Sequence, residues 1–247
     1  QVTLAVHDPT GKPIDAIVPV EISIRDAEGR LAEFSGYYAA VDGKLEIAMD
    51  KLQRALELDP KLPSAHTVIA LIYERIGDRA NAEIHYRRAV QLAPKSGATN
   101  NNYGTFLCAE GNYAEADKYF ERALTVPFYE TPAVAWANRG SCALKAGQAE
   151  LAEQYLRTAV QKDPNSAQAL YELAGILADR KDYFRARAFA QRYEALAGDS
   201  PESLALGMRI ELGLGDAAAV KEYRSRLING FPDSAQAQAL ETSEPPR

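Results

Sequence analysis

From about residue 43 onward, small and large apolar residues return at a fixed helical interval. Ala48, Ala82, Ala116, Ala152 and Ala186 follow one another at separations of 34, 34, 36 and 34 residues. Four positions after the first four of them stand Leu52, Tyr86, Phe120 and Leu156, and three further on come Ala55, Ala89, Ala123 and Ala159. That spacing puts both kinds on one helix face, where alanine admits a close neighbour and the larger side chain fills the space beside it. Gly77 and Gly111, also 34 apart, punctuate the same units. The single longer interval marks a two-residue insertion between Pro127 and Pro132. Pro60, Pro94, Pro164 and Pro232 stop the second helices, since proline lacks an N–H and disfavours helix at the residue before it. Thr131 before Pro132 and Ser200 before Pro201 read as N-caps of first helices.

The first forty residues carry a different period. Val2, Leu4 and Val6, then Val18, Val20, Ile22 and Ile24, alternate as strands do, and Asp8–Pro13 and Asp26–Arg30 are rich in turn residues. A β-hairpin or meander is expected. Such a pair is marginal alone, so it packs on the helices, pairs with another chain, or belongs to a larger domain. Residues 31–43 fit either class: Leu31, Phe34, Tyr38 and Val41 share one helical face, which favours a first helix, yet Phe34–Tyr38 also suits a strand. A fusion near residue 43 would account for the abrupt change of period. The expected organisation is thus a strand-rich segment over 1–42, a helical repeat domain over 43–240 that ends in a short closing helix over Asp233–Leu240, and a flexible tail over 241–247.

The 34-residue unit resembles the tetratricopeptide repeat, with small residues near positions 8, 20 and 27, aromatics near 11 and 24 and proline near 32. Residues 63–96 fit best, through Ala70, Tyr73, Ala82, Tyr86, Ala89 and Pro94. Residues 97–130 offer Gly104, Leu107, Ala116, Phe120 and Ala123; the fourth unit has Trp136 and Gly140; units five and six are degenerate. The resemblance implies a mainly α fold, an α-solenoid of about six helix-turn-helix units preceded by the short β segment.

Composition narrows the function classes. The chain of 247 residues is 47% hydrophobic and 25% charged, as soluble globular proteins are. Its 28 basic and 34 acidic residues give a net charge of −6, and no run of Lys or Arg forms a stripe that would neutralise phosphates, so nucleic acid is not an expected partner. No apolar stretch approaches the roughly 20 residues of a membrane-spanning helix. The chain opens at Gln1 without the basic and apolar regions of a signal peptide, so any such segment is expected to have been removed or to lie outside it.

A finer resemblance rests on Asn101-Asn102-Tyr103-Gly104-Thr105-Phe106-Leu107-Cys108, on Gly111-Asn112-Tyr113 and Ala116–Phe120, and on Leu204–Ile210 with the ending Phe231-Pro232-Asp233-Ser234. Over residues 43–240 the chain is similar to the type IV pilus biogenesis and stability lipoproteins, the PilW/PilF pilotin family. The resemblance implies a non-catalytic lipoprotein at the periplasmic face of the outer membrane that binds the pilus secretin subunit and promotes its localisation and ring assembly. Residues 1–42 do not look like that family; their Asp-Pro-Thr-Gly-Lys-Pro turn and Val-Pro-Val-Glu-Ile strand bear a weaker resemblance to macroglobulin-like β-sandwich domains of bacterial surface proteins. The lipidated cysteine of the family is absent, which leaves membrane anchoring of this chain open.

Stacked helix pairs curve into a superhelix whose concave wall is lined by the first helices. By analogy with the repeat family, positions 2, 5, 9, 12 and 13 of each unit face that groove. They select Thr67, Leu71, Glu74 and Arg75; Asn101, Thr105 and Cys108; Val134, Ala137, Ser141, Leu144 and Lys145; and Tyr171, Gly175 and Asp179. Asn101 and Asn102 either hydrogen-bond a bound peptide backbone or belong to a helix-end cap with Thr99 and Asn100. A clamp for a terminal carboxylate would need convergent cations, whereas Arg75 and Lys145 stand apart. The tyrosines Tyr86, Tyr103, Tyr119 and Tyr155 are assigned to packing.

No catalytic motif appears. His7, His66 and His85 fall on separate elements without a ligand partner at metal-binding spacing, so neither metal nor cofactor is expected. Cys108 and Cys142 lie on first helices of adjacent units; the expectation is two buried thiols, with a bridge if their Cα atoms come within about 7 Å. An alternative role is a structural adaptor of an envelope or filament assembly, using the N-terminal strands to extend a partner's sheet.

Overall fold

A computed structural model describes residues 22–25, 31–34 and 44–242. Two short strands, β1 (Ile22–Arg25) and β2 (Leu31–Phe34), pair antiparallel with Ile22 opposite Phe34 and Arg25 opposite Leu31. The helix expected over 31–43 is thereby corrected at its start: residues 31–34 are extended, held by the antiparallel ladder with Ile22–Arg25. The remainder of that segment, His7, the strands expected before residue 22 and the tail from 243 lie outside the described residues.

Twelve helices follow among the described residues, and their ends obey the punctuation of the sequence. Helix α1 (Lys44–Leu58) and α3 (Arg79–Leu92) stop two residues before Pro60 and Pro94. Helix α2 (Pro63–Arg75) starts on a proline, whose missing N–H costs nothing in a first turn. Then come α4 (Gly97–Ala109), α5 (Tyr113–Thr125), α6 (Pro132–Lys145), α7 (Ala149–Lys162), α8 (Ala167–Asp179), α9 (Tyr183–Ala197), α10 (Pro201–Leu214), α11 (Ala217–Gly230) and α12 (Ala235–Thr242). Ser200 caps α10 in a reciprocal box with Ser203, whereas Thr131 before α6 makes no side-chain cap bond. None of these helices is long and apolar enough to cross a membrane.

The chain forms two compact units. One holds α1 to α3, α4 as far as Phe106, and residues 125–129; the other holds residues 107–124 and everything described from 130 onward. In the first, Leu52, Ala65, Val68, Ile69 and Ile72 form one buried cluster. Beside α3, the rings of Tyr86, Tyr103 and Phe106 gather with centroids 5.1 to 6.3 Å apart, and all three are almost wholly buried. Gly97 lies so close to the Tyr129 ring that a Cβ there would sit 2.5 Å from it.

In the second unit, consecutive helices pair as α6 with α7, α8 with α9 and α10 with α11. Ala152, Leu156 and Ala159 are fully buried against Ala137, Ala143, Ala169 and Leu173, so the alanine and large-residue alternation read from the sequence is the packing seam itself. Gly140 makes the approach of α6 to α7 possible, since a Cβ on it would meet Leu156 Cγ at 2.6 Å. Ala174, Leu177, Ala186, Ala190 and Ile210 continue the core, and Leu204, Tyr223, Leu227 and Ala237 close it under α12.

Candidate protein-binding site

Within the second unit, the first helices α6, α8 and α10 are neighbours and shape a concavity of about 440 Å³. Helical periodicity explains its wall. Tyr171, Gly175 and Asp179 recur every four residues on α8, as Ala205 and Arg209 do on α10, so each set projects from one face. Leu144 of α6, Ile176 of α8 and Leu206 of α10 supply the apolar part. Gly175 is central to what can enter: nothing lies within 4 Å of the position its Cβ would take.

The polar part is organised around Glu172. The Ser141 hydroxyl donates to Glu172 Oε1, and Gln168 Nε2 donates to Ser141 Oγ at 2.6 Å, which ties α6 to α8. Glu172 Oε2 is shut off from solvent and has no hydrogen-bond partner. Burial raises the carboxyl pKa above its ordinary value, against the opposing pull of the Ser141 and Gln168 bonds and the Lys145 charge. Opposite it, Arg209 Nη1 pairs with Asp179 Oδ1 at 2.7 Å across α10 and α8. Burial also raises the Tyr171 phenol, helped by the Glu202 charge, and its ring rests 5.2 Å from that of Tyr193. The concavity therefore offers an apolar floor and an exposed ion pair, which suits a polypeptide carrying both apolar and charged side chains.

Of the residues chosen by repeat register, Leu144, Tyr171, Gly175 and Asp179 line this concavity, and Ser141 braces it. Val134 and Lys145 are exposed on α6. Ala137 is 1% exposed and belongs to the core, so it offers no groove surface. The other unit holds the rest of the choice. Thr67 is buried, its Oγ1 donating to the Pro63 carbonyl at 3.0 Å. Glu74 accepts the Tyr86 hydroxyl at 2.9 Å, Leu71 is half-buried and Arg75 is exposed. Thr105 is exposed and donates to the Asn101 carbonyl at 3.1 Å, while Asn101 itself is buried within α4. The cap of α4 belongs to other residues: Ser96 Oγ accepts the Thr99 N–H, and Asn100 Nδ2 donates to the Pro94 and Ser96 carbonyls at 2.9 and 2.7 Å.

Cys108 requires a correction. It is disulfide-bonded to Cys142, with Cα atoms 5.7 Å apart, so the chain holds no buried thiol pair and Cys108 cannot face a partner as a free side chain. Across the 36-residue interval between these units, a separation of 34 puts Cys142 two positions before the residue that corresponds to Cys108, so repeat register alone does not pair them. Sequence reasoning also passed over Ala205 and Arg209, which stand at positions 5 and 9 of the sixth unit. The signal was present in the register, hidden by that unit's degenerate pattern. Finally, His66 and His85 are not isolated: their Nδ1 atoms are 3.0 Å apart.

Comparison with known proteins agrees with this architecture. The tetratricopeptide repeat family matches residues 63–96, 107–167 and 138–201. The crystal structure of PilW, a widely conserved type IV pilus biogenesis factor, superposes with a TM-score of 0.74 at 34% identity, covering 80% of this chain and 91% of that one. The type IV pilus assembly protein PilF of Pseudomonas aeruginosa is 25% identical over 202 residues, 82% of this chain and 80% of its own length. The solved structure of PilF gives a TM-score of 0.74.

Proposed function

Because the chain belongs to the PilF and PilW family of tetratricopeptide repeat proteins of type IV pilus biogenesis, we propose that it is a non-catalytic scaffold acting as a pilotin. In this reading, residues 43–240 are the working domain, and the concavity on α6, α8 and α10 receives a segment of the outer-membrane secretin subunit, assisting its localisation and oligomerisation. The observation that carries the reading is the combination at one place of Leu144, Ile176 and Leu206 with the Arg209–Asp179 ion pair, on the helices that tetratricopeptide repeats turn toward their ligands. The Cys108–Cys142 bridge favours an oxidising home, as the periplasmic face of the outer membrane is.

The test is capture of purified secretin subunit by the immobilised full chain. Capture that Arg209→Glu abolishes, while the variant keeps its helical circular dichroism, supports the reading. Equal capture by the variant, or none by the native chain, contradicts it. A second reading, an adaptor that extends a partner's sheet, draws on the antiparallel β1–β2 pair. It requires that residues 43–247 alone lose whatever the full chain captures.

A further inference from the structure

Around the concavity of the second unit, the polar groups left unused are donors. Arg209 of α10 is exposed and pairs with Asp179 through Nη1 alone, so among the described residues its Nε and Nη2 hydrogens have no acceptor. The Tyr171 hydroxyl of α8 makes no hydrogen bond among the described residues either, while its ring is held 5.2 Å from that of Tyr193. Lys145 follows the wall residue Leu144 on α6; it is exposed, and its charge acts on Glu172 without forming an ion pair among the described residues. The carboxylates nearby are each engaged. Asp179 accepts from Arg209, and Glu202, whose charge reaches Tyr171, accepts from Gln236 Nε2 at 3.0 Å. Glu172 has one oxygen bound by Ser141 and the other shut off from solvent, and burial raises its pKa, which reduces the negative charge it presents.

Resting on the reading that this concavity receives a polypeptide, we infer that its occupant is an extended segment in which a large apolar side chain is flanked on each side by an acidic one. The helices set that pattern. Both α6 and α10 contact α8, and packed helices lie about 8–10 Å apart, so Lys145 and Arg209 stand on the two helices that flank α8 rather than converging on one carboxylate. In an extended chain alternate side chains, about 6.7 Å apart, share a face. Side chains at positions one, three and five therefore reach from α6 across α8 to α10. The central one enters the open space over Gly175, where nothing lies within 4 Å of a Cβ position, and meets Leu144, Ile176 and Leu206. Its acidic neighbours meet Lys145 on one side and the unused N–H groups of Arg209 on the other, and the Tyr171 hydroxyl is placed to donate to the segment between them. A basic segment would set its charges against Lys145 and Arg209, which costs affinity.

The experiment is fluorescence anisotropy of the full chain, at pH 7.5 and low ionic strength, with three labelled peptides blocked at both ends. One is Gly-Asp-Ser-Phe-Ser-Asp-Gly; the other two carry Asn or Lys in place of both Asp. The acidic peptide is expected to bind the native chain on the order of fivefold tighter than the Asn peptide or better, with the difference shrinking as salt is added. The double variant Lys145→Glu with Arg209→Glu is expected to turn the preference toward the Lys peptide, a gain that a misfolded protein cannot show. Equal affinity of the native chain for the three peptides, a preference for Lys, or no binding of the acidic peptide overturns the inference, as does an acidic preference retained by the double variant. Secretin capture separates this failure from that of the underlying reading. Capture that Arg209→Glu abolishes, with no acidic preference among the peptides, removes the inference alone; failure of both measurements removes the reading of the concavity as well.

Discussion

At the scale of single residues, the turns inside the helix pairs show how a repeat stores its conformation. Gly77, Gly111, Gly147 and Gly215 all adopt left-handed backbone, with φ between 76° and 82°. At the corresponding turn between α8 and α9 the residue is Lys181, at φ 61°. A β-carbon in that region costs about 1 kcal/mol, so Lys181→Gly is expected to stabilise the protein by about that amount, raising the melting temperature by roughly 2–4 °C. Thermal denaturation checks it, and an unchanged or lower midpoint would contradict the account. The glycines were legible because only glycine enters that conformation freely. Lys181 was not, since nothing in a lysine announces a left-handed backbone; only its place in the repeat register does. Thr67 and Asn101 teach the same limit. Register put them on a groove wall, yet each is buried, because a short polar side chain can satisfy itself on its own helix or be packed against neighbours.

Between elements, two links across helices set measurable properties. The Cys108–Cys142 bridge joins α4 to α6 and closes a loop of 34 residues, for which chain entropy assigns a stabilisation of about 3–4 kcal/mol. The oxidised protein is expected to unfold at higher urea than the protein reduced with dithiothreitol; coincident unfolding curves would contradict this. The His66–His85 contact joins α2 to α3. Burial depresses both imidazoles below the ordinary histidine value, so the unfolded chain binds more protons than the folded one as acid is added. Their contribution is full above about pH 6.5 and is lost as the pH falls below it. The urea midpoint of the native chain should therefore drop between pH 7.5 and pH 5 by more than that of the double variant His66→Gln with His85→Gln. Equal drops would remove the histidines from the cause. Helix limits were largely readable, because Pro60, Pro94, Pro164 and Pro232 each stand two residues past a helix end. Pairings between helices were not, because a cysteine or histidine on an amphipathic helix gives its face but not its depth or its neighbour.

For the molecule as a whole, periodicity made the repeat architecture legible, whereas register alone did not separate groove from core: Thr67 and Asn101 of the regular units are buried, while Tyr171, Gly175 and Asp179 of the degenerate fifth unit line the concavity. Leu144, Tyr171, Gly175 and Asp179 line the concavity of the second unit as register placed them. Arg209 and Ala205 were missed where the sixth repeat had drifted, and Glu172 and Ile176 because they stand one position away from the register used. What enters the concavity depends on the open space over Gly175, and this allows a direct test. A Cβ at Gly175 meets nothing within 4 Å, so Gly175→Trp starts its side chain into open space, and replacing a helical glycine does not weaken the helix. The measurement is calorimetric titration of purified secretin subunit into the native chain and into Gly175→Trp. The account predicts saturable binding to the native chain and at least tenfold weaker binding to the variant, on the order expected when a central contact of an interface is blocked. Equal affinity for the two proteins would contradict it.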